Sequence, residues 1–240
     1  MPPPAFGDIV VIGGGCYGSF YTGQLELARS RGRVRYRRLI VVDRNPSCKL
    51  FQDPPESRPQ MVCAEWGAFL DGYLASSPPE SSLMVPSPLM PHLLYEWLQR
   101  RARAEWPTRT ITTQRATPVG TPYETEAPDG TRYVSYADWL CPTHCIEPET
   151  CPVTRTPRTW DMAEAATNAV RRNPRKTVGP VLFECRHVAY GVGAIPIDQV
   201  LAGADALLDA GAGGGATDLL VATVSGCHGA FNLLHLGAAS

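Results

Sequence analysis

Three glycines, Gly13, Gly15 and Gly18, follow an apolar run in "IVVIGGGCYGSFYTGQL". A pyrophosphate needs backbone N–H groups at close range, and glycine leaves no Cβ in the way where a strand turns sharply into a helix. At this spacing Gly13 makes the turn, Gly15 admits the phosphates and Gly18 lets helix and strand pack closely. The positive end of the helix then faces the anion. Gly14, Cys16 and Tyr17 complete the loop. Downstream, "RRLIVVDRNP" ends a second apolar run in Asp43. A carboxylate there accepts the ribose hydroxyls of an adenosine and repels a 2′-phosphate, which favours NAD; Arg44 beside it is the one feature that would admit NADP. The competing reading is a glycine-rich turn that binds no nucleotide.

A second constellation lies in "CPTHCIEPETCPVT", where Cys141, Cys145 and Cys151 fall within eleven residues. Thiolates bind soft or borderline metals, and a proline-stiffened loop can converge ligands without helical geometry. The expected set is Cys141, Cys145, Cys151 and Cys227 around zinc or an iron–sulfur cluster, with Cys185, His144 or His228 as substitutes for the fourth ligand. The spacing has neither the C-x2-C knuckle usual for zinc nor the C-x2-C-x2-C run of a [4Fe–4S] loop. Free redox-active thiols and a local disulfide therefore stay open. Cys227, in "VSGCHGAF", follows an expected strand; if it opens a helix, its thiol is a nucleophile candidate, and if not, it is a small buried residue. His92, at the start of an expected helix, is a candidate acid or base, or a residue that caps and packs.

Periodicity supplies the elements that must position these groups. "DIVVIG" and "RRLIVVD" have the composition of strands buried on both faces, and Tyr17, Tyr21, Leu25 and Ala28 recur at helical spacing between them, a βαβ unit. "QMVCAEW", "SSLMVPS" and "RTITTQ" are the next expected strands, with helices in "GAFLDGYLAS" and "PHLLYEWLQRRARAEW". Such alternation implies a Rossmann-like, mostly parallel sheet with helices on both faces. From about 117 the texture changes: "YETEAPDGTRYVSYADW" is a hairpin with an Asp129-Gly130 turn, and the cysteine segment, a helix near 160–172, a helix in "DQVLAGADALLDA" and a strand in "DLLVATV" follow. The expected division is a dinucleotide-binding domain over 1–117 and a C-terminal α/β extension over 118–240 that carries the cysteine-rich loop.

"VVIGGGCYG" with "LIVVDRN" is similar to the Rossmann superfamily of NAD(P)-binding domains, in particular the TrkA-N type domain of potassium-transport regulators, and more loosely the saccharopine type of dehydrogenase. The resemblance covers the N-terminal part alone. It implies a cofactor crevice lined by strand-end loops, with Glu65, Trp66, Ser87 and His92 nearby. It does not supply a catalytic set, since no tyrosine–lysine pair has short-chain dehydrogenase spacing. Three functions follow as expectations: an NAD-dependent oxidoreductase or redox-linked component, a TrkA-like module that senses NAD(H), and an activating enzyme of the ThiF/MoeB type. The last lacks its paired zinc knuckles here. A methyltransferase would require a differently spaced glycine loop.

Bulk properties bound the partners. The formal charge is −1, which argues against nucleic acid, and eight cysteines occur without a signal-peptide pattern in "MPPPAFGD". No apolar run is long enough to span a membrane. A cytoplasmic protein is expected, with a dinucleotide and a small-molecule or protein redox partner; a homo-oligomer is left open. The six arginines of "RSRGRVRYRR" are expected to form a solvated turn between helix and strand.

Overall fold

The computed structural model describes residues 2–52, 59–142, 145–172 and 177–239. In chain order its elements begin β1 (Ala5–Ile12), α1 (Cys16–Ser30), β2 (Arg35–Asp43), α2 (Lys49–Gln52), β3 (Gln60–Cys63), α3 (Trp66–Ala75), β4 (Leu83–Val85) and α4 (Leu93–Glu105). They continue as β5 (Ile111–Gln114), β6 (Tyr123–Glu126), β7 (Arg132–Ser135), α5 (Met162–Arg172), β8 (Thr177–Glu184), β9 (Arg186–Ala189), β10 (Val192–Pro196), α6 (Ile197–Ala212), β11 (Thr217–Val224) and β12 (His228–Leu236). The fold is α/β.

The chain forms two compact units. The first comprises residues 1–90, 143–146 and 185–198; the second comprises 91–142, 147–184 and 199–240. The division therefore falls near residue 90 and not at 117, because α4 and β5 join the second unit while β9 and β10 return to the first.

In the first unit six strands run in the order β3-β2-β1-β4-β10-β9. The pairs β3/β2, β2/β1 and β1/β4 are parallel, and β10 is antiparallel to both β4 and β9. The β1 run Ile9 to Ile12 is almost fully buried, as expected of a strand covered on both faces. Period-two alternation then assigns its faces. Ile9 and Val11 share a core with Leu25 and Ala28 of α1. Asp8, on the opposite face, accepts a hydrogen bond from the Tyr73 hydroxyl of α3 at 3.4 Å. Helices thus cover both faces of this sheet.

Asp8 is fully buried, and Arg37 and Arg38 each reach it through two hydrogen bonds. The arginine-rich segment is therefore only partly a solvated turn. Arg29 also lies over the Tyr36 ring at 4.8 Å, and Arg31 over Tyr190 at 5.9 Å. Burial pushes the Asp8 carboxyl up, but the hydrogen bonds and charges of Arg38 and Arg37 outweigh it and hold the pKa at about 2. A depressed folded pKa gives stability that is present above the unfolded value of about 3.9 and lost as pH falls through the folded one. Asp8→Asn is expected to lose about 2 kcal/mol at pH 7 and to flatten the acid limb between about pH 5 and pH 2. Urea unfolding across that range checks it; equal acid sensitivity in the variant would contradict the assignment.

In the second unit the strand order is β6-β7-β12-β11-β8, and β5 also pairs with β12. β12 is central: it runs antiparallel to β11 along its whole length, to β7 over His228–Phe231 and to β5 over Leu233–Leu236. "RTITTQ" is thus a strand, but an antiparallel one in the second sheet rather than the fifth strand of a parallel one. The hairpin β6–β7 forms as its Asp129-Gly130 turn implies, with Gly130 at φ +87°. α5 presents Met162, Ala165, Ala166 and Ala169 to Leu220, Ala222, Phe231 and Leu233. The buried guanidinium of Arg109 donates to the carbonyls of Gly211 (2.7 Å), Gly215 (2.9 Å) and Gly237 (2.7 Å), with Trp106 stacked below it at 5.0 Å.

Candidate functional site

The turn from β1 into α1 gives each glycine a separate physical reason. Gly13 has φ +92°, a region that L side chains rarely adopt. A Cβ on Gly14 would press on Cys48 Sγ, and one on Gly18 would overlap the Gly13 carbonyl oxygen. At Gly15 the opposite holds: the backbone angles are ordinary, and a Cβ would meet nothing within 4 Å. Gly15 caps α1 without a side chain, and Cys16 and Tyr17 form the exposed first turn. The N–H groups of that turn have no intrahelical acceptors, so an open, positively polarised space lies at the carboxyl end of β1. It also lies where the strand order reverses between β1 and β4.

Asp43 closes this loop from the end of β2. It is buried, and its Oδ2 accepts from Gly14 N–H at 2.6 Å and its Oδ1 from Asn45 N–H at 2.8 Å. Its first role is thus to hold the glycine loop, which its position in the sequence did not reveal. Each oxygen retains a second lone pair. Arg44 is exposed and lies 4.0 Å from Glu65 in a surface ion pair, a contact that contributes little. Trp66, the first residue of α3, sits beside Gly13, and its buried indole N–H has no acceptor among the described residues. Ser87 is buried and accepts from Leu89 N–H at 3.3 Å.

His92 belongs to the second unit. It stands at the N-cap position of α4 without a side-chain cap hydrogen bond, with Nε2 3.4 Å from Glu96 and Nδ1 3.5 Å from the Tyr133 hydroxyl.

Among the described residues no group of three His, Cys, Asp or Glu side chains is placed to hold an ion. Cys145 groups with the first unit, whereas Cys141, Cys151 and Cys227 lie in the second. Cys151 is buried, and hydrogen bonds from the backbone and hydroxyl of Thr154 lower its thiol pKa. The fourth-ligand candidate His144 lies outside the described residues, and Cys185, in the first unit, sits against Gly193.

Cys227 does not open a helix. It sits in the turn between β11 and β12, and its sulfur accepts the Trp160 indole N–H at 3.3 Å. Burial pushes its thiol pKa up despite that bond. Its neighbour His228 has a richer setting. Ser135 and His228 are register partners across β7 and β12, and the Ser135 hydroxyl is 3.0 Å from His228 Nδ1. On the other ring nitrogen, Nε2 lies 3.7 Å from Cys141 Sγ. The turn beneath is fixed by Glu147, whose carboxylate accepts from Ser225 Oγ (2.7 Å), Gly226 N–H (2.6 Å) and Cys227 N–H (3.2 Å). Glu147 itself is held at φ +53°, a backbone cost of order 1 kcal/mol that the three bonds offset. Burial of the ring lowers the His228 pKa against an upward pull from Glu147. Cross-strand register, invisible before the β7/β12 pairing is known, is the signal that joins Ser135 to His228.

These features define an α/β protein with an open glycine loop in one unit and a thiol–imidazole pair in the other. Its second unit carries the family relationship. The chain belongs to the AF_1314_C family, described as "Uncharacterized protein, C-terminal domain", whose profile matches residues 94–237, about three fifths of the sequence. That match runs from α4 to β12 and leaves the glycine loop outside it. No curated protein and no solved structure matches the chain. Among the described residues no helix is long and apolar enough to cross a membrane.

Proposed function

We propose that the first unit binds NAD(H), with the pyrophosphate on the first turn of α1 and the adenosine ribose at Asp43, and that the protein has a redox-linked role as an oxidoreductase component or an NAD(H)-sensing module. One observation carries this reading. Of the glycines in the loop, Gly13 and Gly18 are required by the protein's own backbone, while a side chain at Gly15, the N-cap of α1, would meet nothing within 4 Å and would enter open space at the helix N-terminus. A residue free of internal constraint at the point where phosphate would sit is what a ligand-imposed glycine looks like. The parallel order β3-β2-β1-β4 and an acid at the end of β2 support it, as does the buried, acceptorless Trp66 N–H beside Gly13.

Isothermal titration calorimetry with NAD⁺, NADH and NADP⁺ tests the proposal. Binding of NAD(H) in the micromolar range is expected, with NADP⁺ weaker because the Asp43 carboxylate repels a 2′-phosphate. Asp43→Asn should narrow that preference while weakening NAD(H), since the amide can no longer accept at both positions. Absence of binding heat with all three nucleotides on folded protein would end the nucleotide reading.

A further inference from the structure

The second unit brings Cys141, His228 and Ser135 into one line, a juxtaposition that nucleotide binding in the first unit does not use. We propose that Cys141 is a nucleophilic thiol that exchanges with disulfides, with His228 as its proton acceptor and Ser135 as the residue that orients the imidazole.

Geometry supports each role. Cys141 Sγ and His228 Nε2 are 3.7 Å apart, within sulfur hydrogen-bond range. The other ring nitrogen is held by Ser135 Oγ at 3.0 Å, which fixes the orientation of the ring. Ser135 Oγ is itself fixed by the Ala137 N–H and carbonyl, both at 2.8 Å. The His228 end of β12 is tied down by the three bonds to Glu147. The sulfur is half-buried and next to Leu140, which is 95% exposed, so a partner can approach it.

The same bonds select the chemistry. Acyl transfer needs backbone N–H groups free to stabilise an oxyanion, yet the Gly226 and Cys227 N–H groups beside the pair already donate to Glu147. Thiol–disulfide exchange needs none, because the charge stays on sulfur. In the step, the Cys141 thiol proton passes to His228 Nε2 and the thiolate attacks one sulfur of R–S–S–R. The R–S–S–R bond breaks as the Cys141–S–R bond forms, and the departing thiolate takes the proton back from His228. No other oxidant or reductant enters.

Oxidised glutathione is the probe, applied to the full chain at pH 7 with peptide mass mapping of every cysteine over time. The exposed Cys63 serves as the internal reference. Cys141 is expected to form its mixed disulfide about tenfold faster. His228→Gln should remove most of that advantage while leaving the Cys63 rate and the melting temperature unchanged, and Ser135→Ala should have a smaller effect of the same kind. If His228→Gln lowers the melting temperature, iodoacetamide labelling of Cys141 in Ser135→Ala supplies the same comparison. A Cys141 rate no greater than that of Cys63, or one indifferent to both substitutions, overturns the proposal. So does stoichiometric zinc or iron in the purified protein with Cys141 shielded until a chelator is added.

Discussion

Gly15→Val is expected to leave the protein folded and to abolish NAD(H) binding, whereas Gly18→Ala, a smaller change three residues away, is expected to damage the fold. The two glycines stand in opposite environments. At Gly15 an added side chain meets nothing within 4 Å and the backbone angles are ordinary, so any loss must arise from the space it takes from a ligand. At Gly18 a single methyl would overlap the Gly13 carbonyl. Main-chain atoms at the root of a buried strand cannot move aside as a flexible side chain does, so the cost is about 3 kcal/mol. Thermal unfolding and calorimetry on the two variants separate the effects: unchanged melting with at least a tenfold weaker NAD(H) affinity for Gly15→Val, and a lowered melting temperature for Gly18→Ala. Retained affinity in Gly15→Val would show that the open space is not where a phosphate binds.

Arg109→Met is expected to produce the largest stability loss in the second unit. The side chain is buried, and its three donor nitrogens each satisfy a different carbonyl: one at the end of α6, one in the glycine-rich turn after it and one beyond β12. Methionine preserves much of the volume and the packing on Trp106 but leaves three acceptors without their charged donor. The Gly211 and Gly215 carbonyls keep weaker second donors, the Gly214 N–H at 3.2 Å and the Thr217 hydroxyl at 3.4 Å, but each of the three loses a charge-assisted bond of about 1.5–3 kcal/mol, partly replaced by water, giving a loss of about 3 kcal/mol or more and a melting temperature lower by about 6–12 °C. Arg109→Lys should recover only part, since an ammonium cannot present the planar fork that reaches three divergent oxygens. Full recovery by lysine would show that charge alone matters at this position.

Most of the local structure was legible, because strands and helices announce themselves over a few residues. The runs around Val10 and Val41 are apolar without alternation and are buried on both faces; Leu94, Trp97 and Leu98 share a helical face and are buried together. The roles of Gly13 and Gly18 were also readable, since they depend on neighbours five positions apart. What could not be read depended on long-range pairing. Nothing in "RTITTQ" distinguishes a parallel partner from an antiparallel one, so β5 was expected in the wrong sheet. The contacts of Cys141 with His228 and of Cys227 with Trp160 could not be read either, because they depend on the register of β7 on β12 and on where the segment before α5 lies. Arg37 and Arg38 looked like surface charge because their partner, Asp8, sits 29 and 30 positions earlier, within an apolar strand.

The return of β9 and β10 to the first sheet ties the two halves of the chain together in time. β4 has β1 on one side and, on the other, β10, whose Ile195 pairs with Met84. Between Val85 and Pro196 the ribosome must add more than a hundred residues, which at ordinary elongation rates takes roughly 5 to 20 s. During that interval the open side of β4 is a short, wholly apolar edge, the kind of surface that recruits wrong strands. Closing the sheet then requires a loop of that length to come together, a slow, non-local step. A fragment ending anywhere between 90 and 184 would lack β10 and leave that edge of β4 unpaired, so the first sheet is incomplete in any such piece. A chain shortened from its N-terminus to residue 91 would instead carry the β9–β10 pair without β4, and the family segment over 94–237 therefore includes a strand, β10, that pairs with β9 inside the segment and with β4 outside it.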